Sequence, residues 1–157
     1  MATLVEALFD SSRVPCCDLV GIVVAETKLC GIINRKPMRR RAVPFIPMDL
    51  YAKNNRRLRV YIRDGELNIV STLGALGVFT VKLLKTDIVP VISKHTNIPA
   101  EGEIGSPDEG EMFFYVLPAD TTLLATVQYV FDVTVTLADG NTYTTVEGVL
   151  NLLQPVM

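Results

Sequence analysis

The densest group of side chains able to do chemistry is NRKPMRRR, residues 34–41, in which Arg35, Lys36, Arg39, Arg40 and Arg41 fall within seven positions. Clustered cations bind phosphate by charge and counterion release. They also dock on acidic protein surfaces through bidentate Arg–carboxylate pairs. No aromatic residue is interleaved to stack on bases, so docking on a protein partner is the expected role, with a plain solvated linker and then nucleic-acid binding as the alternatives. Pro37, Pro44 and Pro47 flank and interrupt the cluster, which fits neither a helix interior nor a central strand.

Other reactive residue types lack the company that chemistry needs. EGEIGSPDEGE, residues 101–111, holds five carboxylates, but not the D-x-D-x-D-G order that surrounds calcium with oxygens, so a solvated loop is expected. His95 is the only histidine. No cysteine lies near it in sequence to complete a zinc site, and no Ser11, Ser12, Thr121 or Thr122 hydroxyl lies near it to be activated as a nucleophile. GALG at 74–77 leads into a strand pattern rather than a helix, so it is not a phosphate loop. No enzyme, metal or cofactor is expected. Cys16, Cys17 and Cys30 do not form a disulfide framework. Reduced thiols are the expected state, with a Cys16–Cys30 or Cys17–Cys30 crosslink, or a metal site, as alternatives.

Length and composition set the frame for these residues. The 157 residues suit one domain with an extension. A hydrophobic content of 49% against 20% charged residues excludes a disordered chain. No apolar run approaches the ~18 residues that cross a bilayer, and Met1–Leu19 lacks the basic start and apolar core of a secretion signal. Charge is divided unevenly: residues 1–44 hold seven Lys or Arg against four Asp or Glu, and the remainder eight against thirteen. Residues 1–44 are therefore read as a basic arm, and 45–157 as a globular domain. Within the arm, LVEALF (4–9) suits a short amphipathic turn. DLVGIVVAE (18–26) and LCGII (29–33) suit strands pairing through Thr27-Lys28.

Beyond residue 44 the period is that of strands. The clearest element is TVQYVFDVTVTLADGNTYTTVEGVLNLL, 126–153. Asp139-Gly140 signals a two-residue type I′ hairpin turn. Folding there sets Val135 against Thr144, Val133 against Val146, Phe131 against Gly148, Tyr129 against Leu150 and Val127 against Leu152, all on one apolar face. Gly148 is expected to leave room for the Phe131 ring. On the other face Asp132 meets Glu147, a like-charge pair that either points into water at little cost or is relieved by a neighbour's Arg or Lys. RRLRVYIR turns Leu58, Val60 and Ile62 inwards and Arg57, Arg59, Tyr61 and Arg63 outwards. GVFTVKLL (77–84), IVPVIS (88–93, irregular or at an edge because of Pro90) and GEMFFYVL (110–117) follow. About seven short strands with turn residues between them indicate an all-β, two-sheet sandwich.

The succession MDLYAKNNRRLRVYIRDGE, LGVFTVKLLK, GEMFFYVLPADTTLL and YVFDVTVTLADGNTYTTVEGVLNL resembles an immunoglobulin-like domain of tailed bacteriophages. It is similar to the N-terminal domain of baseplate upper proteins and related small virion proteins. The resemblance covers residues 46–154. NIVSTLGALG replaces the DLTGA stretch of typical members. The resemblance implies an immunoglobulin-like two-sheet β-sandwich with an extended N-terminal arm. The implied function is that of a structural protein of a virion, made in the host cytoplasm, in the tail, baseplate or neck. The implied partners are other virion structural proteins in multiple symmetric copies. Arg35, Lys36, Arg39, Arg40 and Arg41 are the expected partner-binding residues. A capsid-decorating protein gripping the shell by its arm is the alternative within this class. Outside it stand a nucleic-acid-binding module and a carbohydrate-binding sandwich, the last disfavoured by the absence of Trp.

Overall fold

The computed structural model describes residues 26–34 and 42–155. They form an all-β sandwich of two mixed sheets. Nine strands follow in chain order: β1 (Glu26–Ile33), β2 (Phe45–Tyr51), β3 (Arg56–Asp64), β4 (Leu76–Lys82), β5 (Ile92–His95), β6 (Gly102–Ile104), β7 (Glu111–Val116), β8 (Gln128–Thr136) and β9 (Thr142–Leu153). A 3-10 turn at Pro107–Glu109 precedes β7, and a one-turn helix, α1 (Pro118–Thr121), follows it.

One sheet has the order β1-β3-β7-β6 and the other β2-β9-β8-β4-β5. Relabelled as B, C, C′, D, E, F and G, strands β3 to β9 give the orders B-E-D and G-F-C-C′, those of an immunoglobulin-type Greek key. The bend between β7 and β8 carries a second mark of that fold. Tyr129, near the start of β8, donates its hydroxyl to the Ala125 carbonyl at 2.8 Å, the arrangement of a tyrosine corner.

Alternation builds the core. Leu58, Val60 and Ile62 of β3 are fully buried, as their spacing predicts. Phe79 of β4 joins the sheets, its ring centroid 5.9 Å from those of Phe114 on β7 and Phe131 on β8. In β7, apolar on both faces, the outward Phe113 is covered by the guanidinium groups of Arg57 and Arg59, 4.7 and 5.1 Å from its ring centre.

The final hairpin keeps the expected pairs from Tyr129–Leu150 to Val133–Val146, with Phe131 opposite Gly148. Its turn differs. Leu137 N–H donates to the Asn141 carbonyl and Gly140 N–H to the Leu137 carbonyl, at 2.9 and 2.8 Å, and only Gly140 has positive φ, +90°. This is a three-residue loop, a type I turn closed by a left-handed glycine, rather than a type I′ turn. It needs positive φ at glycine alone and leaves Asp139 free to accept the Asn141 N–H at 2.9 Å. The added loop residue shifts the register by one, so that Thr134 pairs with Thr144 and Val135 with Tyr143. A bulge at Thr145 then restores the inward face. Thr145 and Val146 are both buried, and the Thr145 hydroxyl donates to the Val133 carbonyl at 3.0 Å.

Gly148 has a different reason from the expected one. A Cβ there would collide with the backbone of Ile46 on β2, which runs parallel to β9 with Ile46 beside Gly148. Bare backbone admits the neighbouring strand, not the Phe131 ring.

The largest correction concerns residues 26–33. Thr27 and Lys28 make no turn: both lie inside β1, which runs parallel to β3 from Glu26–Arg57 to Ile33–Asp64. Leu29 and Ile33 point into the main core. Gly31 lies so close to the other sheet that a Cβ there would come within 2.8 Å of Thr145. Glu26 accepts from Arg57 Nε at 2.7 Å and lies 3.2 Å from an Arg59 terminal nitrogen. This stretch is sandwich, not arm, because a β1-length apolar face is buried only by joining both layers. Cys30 on its outward face is disulfide-bonded, which corrects the reduced-thiol expectation for this residue. Cys16 and Cys17 lie outside the described residues, as do LVEALF and most of DLVGIVVAE.

Candidate functional site

The register divides the loops between two ends. Lys82 pairs with Val130, Gln128 with Asn151 and Tyr51 with Leu153, while Arg56 pairs with Val116 in the other sheet. One end of the sandwich therefore gathers the β2–β3 link, the long β4–β5 loop (83–91) and the β7–β8 corner (117–127). A bond from Lys53 N–H to Thr121 Oγ1, 2.8 Å, ties the first of these to the third.

This loop end is unusually apolar on its surface. Ile88 is 92% exposed and Leu123 95%, and Leu83, Leu84, Val89, Val91, Leu117 and Val127 are exposed as well. The backbone beneath them is nonetheless fixed. Leu84 N–H donates to Asp87 Oδ2 at 3.0 Å, and Asp87 N–H returns to the Leu84 carbonyl at 3.0 Å. In α1, Pro118 fills the first helical position and Asp120 Oδ2 accepts the Leu117 N–H at 2.6 Å. Lys94 points inward from the edge strand β5 with its ammonium 2.7 Å from Asp120 Oδ2. That pair, its lysine buried and its aspartate partly exposed, holds the corner against the sheet, and an inward lysine on a short strand also discourages edge-to-edge pairing.

The partner-binding residues expected from sequence, Arg35, Lys36, Arg39, Arg40 and Arg41, lie outside the described residues. Their position in the chain is nevertheless informative. They fall between the end of β1 and the start of β2, each an edge strand of its sheet. The cluster thus belongs to a connection anchored in the sandwich on both sides. The anchor next to β2 is explicit, with Glu147 N–H bonded to the Pro44 carbonyl at 3.0 Å.

Asp132 and Glu147 stand opposite each other, as expected. Their relief comes from within the chain. Lys85 Nζ lies 3.3 Å from Glu147 Oε1, and Lys82 partly offsets the burial that pushes the Asp132 pKa above the ordinary carboxylate value. Phe45, Thr80 and these four residues line a small cavity of about 70 Å³.

The acidic loop is more built than a solvated strand of carboxylates. Glu101 accepts from the His95 backbone N–H and faces its Nδ1, each at 3.0 Å, and the His95 bond holds its pKa below the usual range. Glu111 Oε1 accepts the Ser106 N–H at 3.1 Å, while its other oxygen is 3.7 Å from Arg59. Glu103, Asp108 and Glu109 remain exposed. Sequence reasoning missed the apolar loop end, although the unbroken LL and IVPVI on either side of Lys85–Asp87 were its visible signal.

No protein-family model matches the chain, and no curated protein matches it. Among solved structures it is similar to the N-terminal domain of phage TP901-1 ORF48, with a TM-score of 0.47 and 7% identity, over 82% of this chain and 98% of that one. It is also similar to CopC from Methylosinus trichosporium OB3b, with a TM-score of 0.34 and 14% identity, over 71% of this chain and 89% of the other. Similarity of this degree carries no functional argument.

Proposed function

We propose that this chain is a non-enzymatic structural protein of a bacteriophage virion, a tail, baseplate or neck component that docks on other virion proteins through the loop end of its sandwich. The observation that carries the docking role is the group of bare apolar side chains there, Ile88 and Leu123 at 92% and 95% exposure among them. Large apolar side chains left exposed together at one end of a fold mark protein–protein contact in soluble proteins. A backbone already fixed by Asp87 and Asp120 reduces the ordering cost of binding. The virion assignment comes from the resemblance of residues 46–154 to immunoglobulin-like phage domains, and the B-E-D and G-F-C-C′ strand orders fit it. The basic connection at 35–41 offers a second contact, to acidic neighbours through Arg–carboxylate pairs.

Mass spectrometry and cryo-electron microscopy of purified particles test this reading. The expected result is the chain present in several symmetric copies with residues 83–91 and 117–127 buried against a neighbour. Absence from particles contradicts the role, and a position on the capsid surface contradicts the tail assignment.

A further inference from the structure

A groove of about 360 Å³ opens at the same loop end, with Arg56, Arg57, Ala100, Tyr115, Val116 and Leu117 in its wall. Its volume lies at the small end of ligand pockets, about 300–1,000 Å³, with room for a few side chains. The wall is apolar almost throughout, since arginine stems and a tyrosine ring add to Val116 and Leu117 as apolar surface. The groove is continuous with the exposed aliphatics of the loop end. Leu117 belongs to both, and Ile98, two residues before Ala100, is exposed as well.

Charge sets a second condition on the occupant. Arg57 is paired with Glu26, and Arg59 lies within ion-pair distance of Glu26 and Glu111. Arg56, half-buried at the start of the same strand, has only a neutral partner among the described residues: it donates from a terminal nitrogen to Thr27 Oγ1 at 3.0 Å. The neighbouring acids are engaged elsewhere. Glu101 is bonded to His95, and the exposed Glu103 stands by the Tyr115 hydroxyl, whose pKa burial and this carboxylate both raise. Most of the five N–H donors of Arg56 are thus left to water. A purely apolar cover over the groove would strip that water and leave a buried, unpaired cation, which is strongly unfavourable. A carboxylate on the occupant removes the penalty through a charge-assisted, bidentate pair.

We propose that the groove receives the anchor of the docking partner, an extended segment of another virion protein in which an apolar side chain stands beside an Asp or Glu. The apolar side chain covers Val116 and Leu117, and the carboxylate meets Arg56. The choice of a protein segment rests on the docking role proposed above for the loop end, of which the groove forms the edge.

NMR titration of the isotope-labelled full chain with two blocked peptides, acetyl-Ser-Leu-Phe-Glu-amide and acetyl-Ser-Leu-Phe-Gln-amide, tests this. Both should shift backbone amides at 55–57 and 115–117, and the glutamate peptide should bind about fivefold tighter or better. Arg56→Gln, with folding checked by a thermal melt, should bind the two equally, and Arg56→Lys should keep part of the preference. In particles, Arg56→Glu should lower the number of copies several-fold. Peptides that leave those amides unmoved at millimolar concentration overturn the proposal. Equal affinities for the wild type, a preference that Arg56→Gln retains, or wild-type copy numbers for Arg56→Glu do the same. Groove amides that shift with protein concentration alone place a second copy there, which also overturns it. A wild-type chain missing from particles with its peptide preference intact contradicts the virion role, whereas an inert groove in a chain that joins particles contradicts this proposal alone.

Discussion

The two ends of the sandwich are fixed by similar means and present different surfaces. At the end holding the β8–β9 turn, short side chains serve the backbone. Asp139 accepts the Asn141 N–H, Asp64 accepts those of Glu66 and Asn68, and the Ser71 hydroxyl accepts that of Leu73. Ile69 and Leu73 are the exposed large aliphatics in the β3–β4 connection there. At the loop end Asp87 and Asp120 brace the chain in the same way, but what they hold out to solvent is leucine, isoleucine and valine. Burying those side chains would stabilise this fold, and the chain leaves them outside. The difference fits the proposed division of labour, in which the turn end and the core serve stability and the loop end serves contact with another protein.

The strongest way to break that division is at β1. A chain starting at residue 45 loses Leu29 and Ile33 from the core together with the whole parallel pairing to β3. It should aggregate or fail to show a cooperative melt, whereas one starting at Glu26 keeps every strand of the described residues and should melt cooperatively. If the chain from residue 45 melts like the longer one, β1 is an accessory and the core has been drawn too wide. Next in size is Phe131→Ala, which removes a ring packed against Phe79 and should cost about 3–5 kcal/mol in chemical denaturation. Particle incorporation at a temperature where this variant remains folded should be unchanged.

Tyr129→Phe probes the seam between the two regions, since its hydroxyl pins the corner to Ala125. A loss of about 0.5–1.5 kcal/mol is expected, and a denaturation midpoint equal to that of the wild type would deny the corner a structural role. Asp132→Asn should act in the opposite direction. Burial raises the Asp132 pKa in the folded state, so folding takes up a proton and the charged form is a penalty above that pKa. The penalty vanishes once pH falls below the unfolded value of about 3.9. The variant should therefore melt slightly higher than wild type at pH 7 and level with it near pH 3. A lower midpoint at pH 7 would mean that Lys82 and Lys85 outweigh burial.

How much of this was readable in the sequence depends on how local the cause is. Alternation over 127–152 fixed the partners of Phe131 and Tyr129, because a one-residue slip would turn an apolar face to water. The Asp-Gly pair marked the turn but not its length, since a left-handed glycine closes a three-residue loop as readily as a two-residue one, and the compensating bulge at Thr145 has no signature of its own. The role of Gly148 was hidden because its cause, Ile46, lies a hundred residues away. Parallel pairing hid β1 for the same reason: its partner β3 is neither adjacent in sequence nor joined by a tight turn. The exposed apolar loop end was the least legible. Strand-like apolar runs such as LL and IVPVI read as core until the topology shows that they overhang the end of the sheet.

The most direct test of the central claim is incorporation of a Leu84→Ser/Ile88→Ser/Leu123→Ser chain into particles, measured as copies per particle against wild type. The three side chains are exposed, so the thermal midpoint should change little, with about 0.5 kcal/mol or less per site. The account predicts a folded protein that is lost from particles. A variant incorporated at the wild-type level would contradict it and would move the docking surface away from the loop end.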